Sequence, residues 1–229
     1  MLASPCRVFL CLAASMDGRI ADAAEGAPNF TSRYDREKLF RLRAEADVLM
    51  VGANTVRHEL LPPLVRNADL AELRRAAGKP PHPAVVIVSR SLDLPWRAGY
   101  FTRAKQPIFV LTTEAPASVR QSAADVGVTV LEAGDQDLFQ FGFNQLHARG
   151  FGQVLAEGGG TLVHALLARD LVDRFYLTLA PVALGGRDAP LLVNGPSLKP
   201  PVSFLLHHCE QVDSELHLEY RRSGEASPA

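Results

Sequence analysis

Short runs of consecutive apolar residues recur along this chain, separated by stretches in which apolar positions fall three or four apart. Residues 7–14, 47–52, 84–88, 106–112, 126–131 and 151–156 are runs of the first kind. Their length and their bounding turn residues predict strands buried on both faces. Stretches of the second kind predict helices over 54–60, 69–77, 115–125 and 137–149, and Leu39, Leu42 and Ala46 sit at helical spacing behind a Ser32/Asp35 helix-start box. Strand, helix, strand, helix in succession is the pattern of an α/β fold with a mostly parallel central sheet and helices on both faces. After residue 168 the pattern changes. Residues 173–180 alternate, Pro181 and Gly185-Gly186 follow, and a late strand is predicted over 215–221 with no helix between. Antiparallel strands at the C-terminal edge of the sheet are therefore expected. With no composition break and no internal repeat, the chain reads as a single domain over 1–229.

One stretch joins a strand to a helix through a carboxylate and three glycines: QVLAEGGGTLVHAL, residues 153–166. The amides of Gly158, Gly159, Gly160 and Thr161, at the start of a helix and free of Cβ atoms over the glycines, suit a phosphate. The other reading is a tight connection with no ligand. Further loops follow predicted strand ends at Asp17-Gly18-Arg19, Thr31, Gly52 to Thr55 and Ser89-Arg90. Ligands of open α/β sheets bind at the carboxyl ends of the strands, so these loops point to one cleft. Ser89-Arg90 suits a monophosphate such as the 2′-phosphate of NADP, and a strand-end arginine that simply faces water is the alternative.

Charge and composition narrow the ligand. A net charge of −1 without a basic stripe argues against nucleic acid and anionic membranes, leaving a small molecule. The phosphate loop, dinucleotide fingerprint, nucleophile elbow, zinc-protease helix and zinc-deaminase signature are all missing, and the histidines have no ligand spacing, so no metal is expected. Cys6, Cys11 and Cys209 are too few and scattered for a disulfide framework. The apolar start lacks a basic leader region and no run of about 20 apolar residues exists, so a cytoplasmic protein is expected.

Taken as an ordered set, S-M-D-G-R-I-A, L-R-A-E-A-D-V-L-M-V-G-A-N-T-V, L-A-E-G-G-G-T-L and D-L-V-D-R-F-Y-L-T-L-A-P-V-A-L-G-G resemble the pyrimidine reductases of riboflavin biosynthesis over about residues 8–186. The resemblance implies a dihydrofolate-reductase-like fold and NADPH-dependent reduction of 5-amino-6-(5-phosphoribosylamino)uracil, or its diaminopyrimidine counterpart, to the ribitylamino product. It also implies a homodimer. Carried over position by position, it implies that Ala13, Gly52, Thr55, Ser89, Arg90, Gly158, Gly159, Gly160 and Thr161 line the cofactor. Thr31, Arg43 and Arg66 would approach the substrate's ribose phosphate, and Glu157 and Asp17 would stand near the reacting atoms. For Asp17 a plain Asp-Gly turn is the competing reading. Two places depart from the family: Glu59-Leu60-Leu61 replaces D-D-P, and Cys11 stands where many bacterial members carry lysine. Both departures bear on the substrate, and they leave open a reductase of the same fold acting on another heterocycle, or a nucleotide-binding protein without catalysis.

Overall fold

A computed structural model describes residues 4–22, 30–59 and 61–223. In chain order the elements are β1 (Arg7–Ser15), α1 (Arg33–Glu45), β2 (Val48–Gly52), α2 (Ala53–His58), α3 (Ala68–Ala76), β3 (Ala84–Val88), α4 (Gly99–Thr102), β4 (Ile108–Thr112), α5 (Ala117–Asp125), β5 (Thr129–Glu132), α6 (Leu138–His147), β6 (Gln153–Ala156), α7 (Gly160–Leu167), β7 (Arg174–Ala180), β8 (Phe204–Val212) and β9 (Glu215–Arg222). The alternation predicted from the apolar runs is the one found. The loop expected over 23–29, Leu60 and the tail beyond 223 lie outside the described residues.

The chain divides into two compact units, the first built from residues up to Arg7 with Phe40–Leu155, the second from Val8–Leu39 with the chain from Ala156 onward. In the first unit the strands run β5-β4-β3-β2-β6. β2 pairs with β3 in parallel from Val48↔Ala84 to Gly52↔Val88, and β3 with β4 and β4 with β5 are parallel as well. Val85, Val86, Ile87, Val110 and Leu111 are fully buried. Each such side chain contributes about 1.5–3 kcal/mol relative to exposure, so these runs gain most as interior strands. β5 begins later than its apolar run because Val126 closes α5 and Gly127 (φ +71) turns the chain away first.

Two charged residues that look like surface groups in the sequence hold this unit together. Arg74, 3% exposed, donates from Nη1 to the carbonyls of Ala46 (2.6 Å), Ala44 (2.8 Å) and Arg43 (3.4 Å), and from Nε to Pro80 (2.7 Å). It thereby caps the C-terminal end of α1, whose last carbonyls have no partners within the helix. Asp47 accepts from the amides of Gly152 and Gln153, both at 2.9 Å, and from Lys79 Nζ at 2.8 Å. Burial raises its pKa, but Lys79 and the two amides outweigh this and leave it below the usual value.

In the second unit the order is β1-β7-β9-β8. β7 joins β1 in parallel, from Phe9↔Arg174 to Ser15↔Ala180, and β9 and β8 follow antiparallel, which is the expected C-terminal edge. β8 itself was not legible as a strand. It lies at the edge with Leu205 61% and Leu206 55% exposed, and a strand wetted on both faces carries no period-two pattern. The start of α1 also differs in one half from the expected box. Ser32 Oγ accepts from Asp35 N at 3.1 Å as predicted, but the carboxylate that takes Ser32 N is Glu215, from β9, at 2.6 Å. A glutamate reaches where the shorter Asp35 does not.

Candidate active site

In the first unit, the parallel register brings the ends of β2 and β3 side by side, Gly52 opposite Val88. Gly52 leads straight into α2, which carries a half-buried Thr55, and Val88 leads into Ser89 and Arg90. Ser89 is 3% exposed. Its amide donates to Leu111 O (3.1 Å) and its hydroxyl accepts from Leu92 N (3.0 Å), so it shapes the turn on which the exposed Arg90 stands. Among the described residues Arg90 pairs with no carboxylate. Arg57, which sequence reasoning passed over, ties α2 to this turn by donating from Nε to Asp93 O (3.0 Å) and approaching Ser91 Oγ (3.5 Å). No spacing in the sequence announces that contact.

The same unit brings two of the three proposed substrate residues together. Arg43 Nη1 donates to Leu64 O (3.3 Å), and its guanidinium lies 5.8 Å over the Phe40 ring. Val65 is buried at 3% exposed, which fixes the segment, and the next residue, Arg66, is exposed and has no ion pair among the described residues. Glu59, one of the departures, is exposed at the end of α2.

In the second unit, β1 and β7 end together at Ser15 and Ala180. Ala13 is half-buried in β1 opposite Thr178. Beyond the strand end, Asp17 accepts from Ser15 Oγ (2.6 Å), from Leu184 N (3.0 Å) and from Gly185 N (2.7 Å). The Ser15 hydroxyl first, then the two amides, hold its carboxyl at about 2, well below the usual value. A carboxylate so held stays ionised through the neutral range and has no proton to give. Its geometry is that of a latch between two loops, a larger task than the plain turn.

The glycine run is explained partly by the chain itself. Gly158 has φ +90, and a Cβ there would lie 2.8 Å from Leu12 Cδ2. At Gly160 a Cβ would run into the Leu191 carbonyl, and Asn194 N donates to Gly160 O at 3.1 Å. His164, one turn on, stands with Nε2 2.7 Å from Pro196 O. The segment around 191–196 thus packs on the first turn of α7, and Gly160 is required for that contact. Gly159 is half-buried and Thr161 exposed, and no side chain caps α7. Asn67 and Asp137 do cap α3 and α6, from their side chains. The uncapped amides at this helix start fit an anionic group such as a nucleotide phosphate. Glu157, just before the run, is half-buried. Thr31 is half-buried too, and its carbonyl accepts from Arg36 Nη1 at 3.1 Å. No three His, Cys, Asp or Glu side chains stand together as a metal site among the described residues, and no helix there is long and apolar enough to cross a membrane.

The family profile described as the RibD C-terminal domain matches residues 7–218. The chain belongs to the RibD C-terminal domain family. A relative from Archaeoglobus fulgidus, named 2,5-diamino-6-ribosylamino-4(3H)-pyrimidinone 5′-phosphate reductase, is 30% identical over 190 residues, covering 83% of this chain and 87% of the relative. A protein of the same name from Methanothermobacter thermautotrophicus is 29% identical over 217 residues, with 94% and 91% covered. Among solved structures, a pyrimidine reductase-like protein from Corynebacterium diphtheriae superimposes with a TM-score of 0.81 at 23% identity, covering 95% of this chain and 92% of that one. That likeness shows the fold, which is the α/β fold of RibD C-terminal domains, with the family's mostly parallel sheet and antiparallel C-terminal strands.

Proposed function

We propose that this RibD C-terminal domain protein is an NADPH-dependent reductase that converts the ribosyl group of a phosphoribosylaminopyrimidine into the ribityl group. The observation that carries the reading is the family match over residues 7–218, joined by relatives that align over nearly their whole length and bear the name of a pyrimidinone phosphate reductase. Those names favour the 2,5-diaminopyrimidinone over the aminouracil as the ring. The substrate's ribosylamine opens to an imine, which gains hydride at C1′ and a proton at nitrogen. When bound, the nicotinamide supplies that hydride. The protein's task is placement: the donor and acceptor carbons need to stand about 3–3.5 Å apart.

In this reading Arg43 and Arg66 bind the substrate phosphate, with Thr31 contributing its hydroxyl, and Glu157 orients the sugar end. Arg90 holds the cofactor's 2′-phosphate, on the turn that the buried Ser89 shapes. Gly52, Thr55 and Ala13 line its nucleotide, and Gly159, Thr161 and the amides of Gly158 and Gly160 meet its phosphates. Asp17 acts by holding its own loop and that of Leu184 in place. NADPH oxidation measured with the diaminopyrimidinone and aminouracil phosphoribosides tests the substrate; turnover of neither would overturn the reading. Arg90→Ala is expected to weaken NADPH about ten- to a hundredfold and leave NADH unchanged, since a charge-assisted contact contributes roughly 1.5–3 kcal/mol. Equal affinity of the unmutated protein for both cofactors would exclude a 2′-phosphate site at Ser89-Arg90.

The protein is further proposed to work in the cytoplasm as a single-domain reductase and as a homodimer, in which the exposed edge of β8 carrying Leu205 and Leu206 pairs with its counterpart. Light scattering at micromolar concentration is expected to give twice the mass of the chain. A monomer would count against pairing at β8.

A further inference from the structure

Thr31 is the third of the proposed substrate residues, and the structure holds it in a way no motif suggests. The residue after it, Ser32, places its amide 2.6 Å from Glu215 Oε1 and its hydroxyl 2.6 Å from Glu215 Oε2. Glu215 is 5% exposed. Beside it His217, 2% exposed, stands with Nε2 3.3 Å from Glu215 Oε2 and Nδ1 3.1 Å from Thr178 Oγ1, and Thr178 is itself 2% exposed. Tyr34, on the first turn of α1, packs edge-on against the His217 ring with centroids 4.9 Å apart and donates its hydroxyl to Glu210 Oε2 at 2.7 Å. The start of α1 is therefore tied to the β8–β9 hairpin at Ser32 and again at Tyr34.

A helix start does not need this much. Ser32 Oγ already takes the amide of Asp35, which satisfies the ordinary demand of a helix N-cap. What Glu215 adds is orientation. Its Oε1 fixes the N–H of the Thr31–Ser32 peptide while Arg36 Nη1, at 3.1 Å, fixes the carbonyl of that same peptide, so a planar unit is gripped from both sides. Gripping it sets the direction in which Thr31 leaves the backbone. A buried carboxylate that accepts two short bonds is stiff, because leaving either donor unmatched in a dry site is costly.

The geometry points to Glu215 as a positioning residue for the substrate half of the reaction, acting through the Thr31–Ser32 peptide with His217 and Thr178 behind it. This rests on the substrate reading given above, in which Thr31 meets the ribose phosphate. Glu215 touches neither substrate nor cofactor.

The experiment is a double-mutant cycle between Glu215 and Thr31, read as KM for the phosphoribosyl pyrimidine, kcat, and the NADPH dissociation constant by fluorescence. Glu215→Ala is expected to raise KM for the pyrimidine roughly tenfold, the size of one ordinary hydrogen bond lost at Thr31, and to leave the NADPH dissociation constant within about twofold. Glu215→Gln keeps an acceptor for the Ser32 amide and should recover most of that loss. Combined with Thr31→Ala, Glu215→Ala should add nothing further, because both act on one contact. Effects that multiply in the double variant, or that fall equally on cofactor and substrate, would make Glu215 a general structural residue and overturn the proposal. If Glu215→Ala fails to fold, the same cycle with Glu215→Asp decides, since the shorter carboxylate draws back from the Ser32 amide, with an additive outcome again overturning it. Wild-type protein inactive on both phosphoribosyl pyrimidines would instead overturn the substrate reading and this inference with it. An active wild type whose KM is untouched by either Glu215 variant would remove this inference alone.

Discussion

Replacement of Arg66 by alanine is expected to lower kcat/KM for the phosphoribosyl substrate by about 100-fold or more, with NADPH affinity unchanged. Arg66 is exposed and has no carboxylate partner among the described residues, so its charge is available to an anion. It stands two residues past Leu64, whose carbonyl accepts from the Arg43 guanidinium of α1, so Arg43 is tied to the segment that carries Arg66. Losing a charge-assisted contact to phosphate removes roughly 3 kcal/mol, and binding energy at this remote end is what aligns the reacting carbons. Turnover should therefore suffer along with KM. Steady-state kinetics with both ligands varied, and cofactor binding measured separately, distinguish this from a cofactor role. Should Arg66→Ala weaken NADPH and spare the phosphoriboside, the substrate pocket has been placed at the wrong segment.

Arg74→Met is expected to produce the largest loss of stability of any single arginine change in the first unit. Its guanidinium donates to Ala46, Ala44, Arg43 and Pro80 carbonyls from a position 3% exposed. Methionine fills the space but leaves those acceptors without donors, and orphaning buried acceptors of this number costs about 3 kcal/mol or more. For a chain of this size that corresponds to a fall in Tm of about 6–12 °C. Arg75 is the natural control, since its partner is the exposed Glu72 one turn away and such pairs contribute about 0–1 kcal/mol. Calorimetry of the two methionine variants side by side settles the matter: equal midpoints would mean that Arg74 is dispensable as a cap.

The two arginines also show what a sequence discloses. Arg74 and Arg75 are neighbours on a charged helix, and nothing in composition or spacing separates the buried cap from the surface pair. The strands were legible because Val85, Val86 and Ile87 are buried on both faces, and burial of that kind writes a continuous apolar run. β8 was not, because an edge strand with two wet faces writes nothing. The Ser32 box was legible in its local half, the bond to Asp35 N, and hidden in its long-range half, since Glu215 comes from β9. Gly160 was visible as a glycine but not for its reason, which is the Leu191 carbonyl packed against it. The proposed ligand residues followed from resemblance across an ordered set of motifs, whereas the work Asp17 performs became visible only when Leu184 and Gly185 were brought to it.

The Asp17 latch also constrains redesign. Leu184 and Gly185 hang on a carboxylate 167 and 168 positions earlier in the chain. Grafting a new loop after β7 from a relative, or lengthening the one present, unhooks Asp17 unless the loop after β1 is transplanted with it. The two segments are thus a single exchangeable part, and a library that varies one while holding the other fixed will sample mostly broken latches.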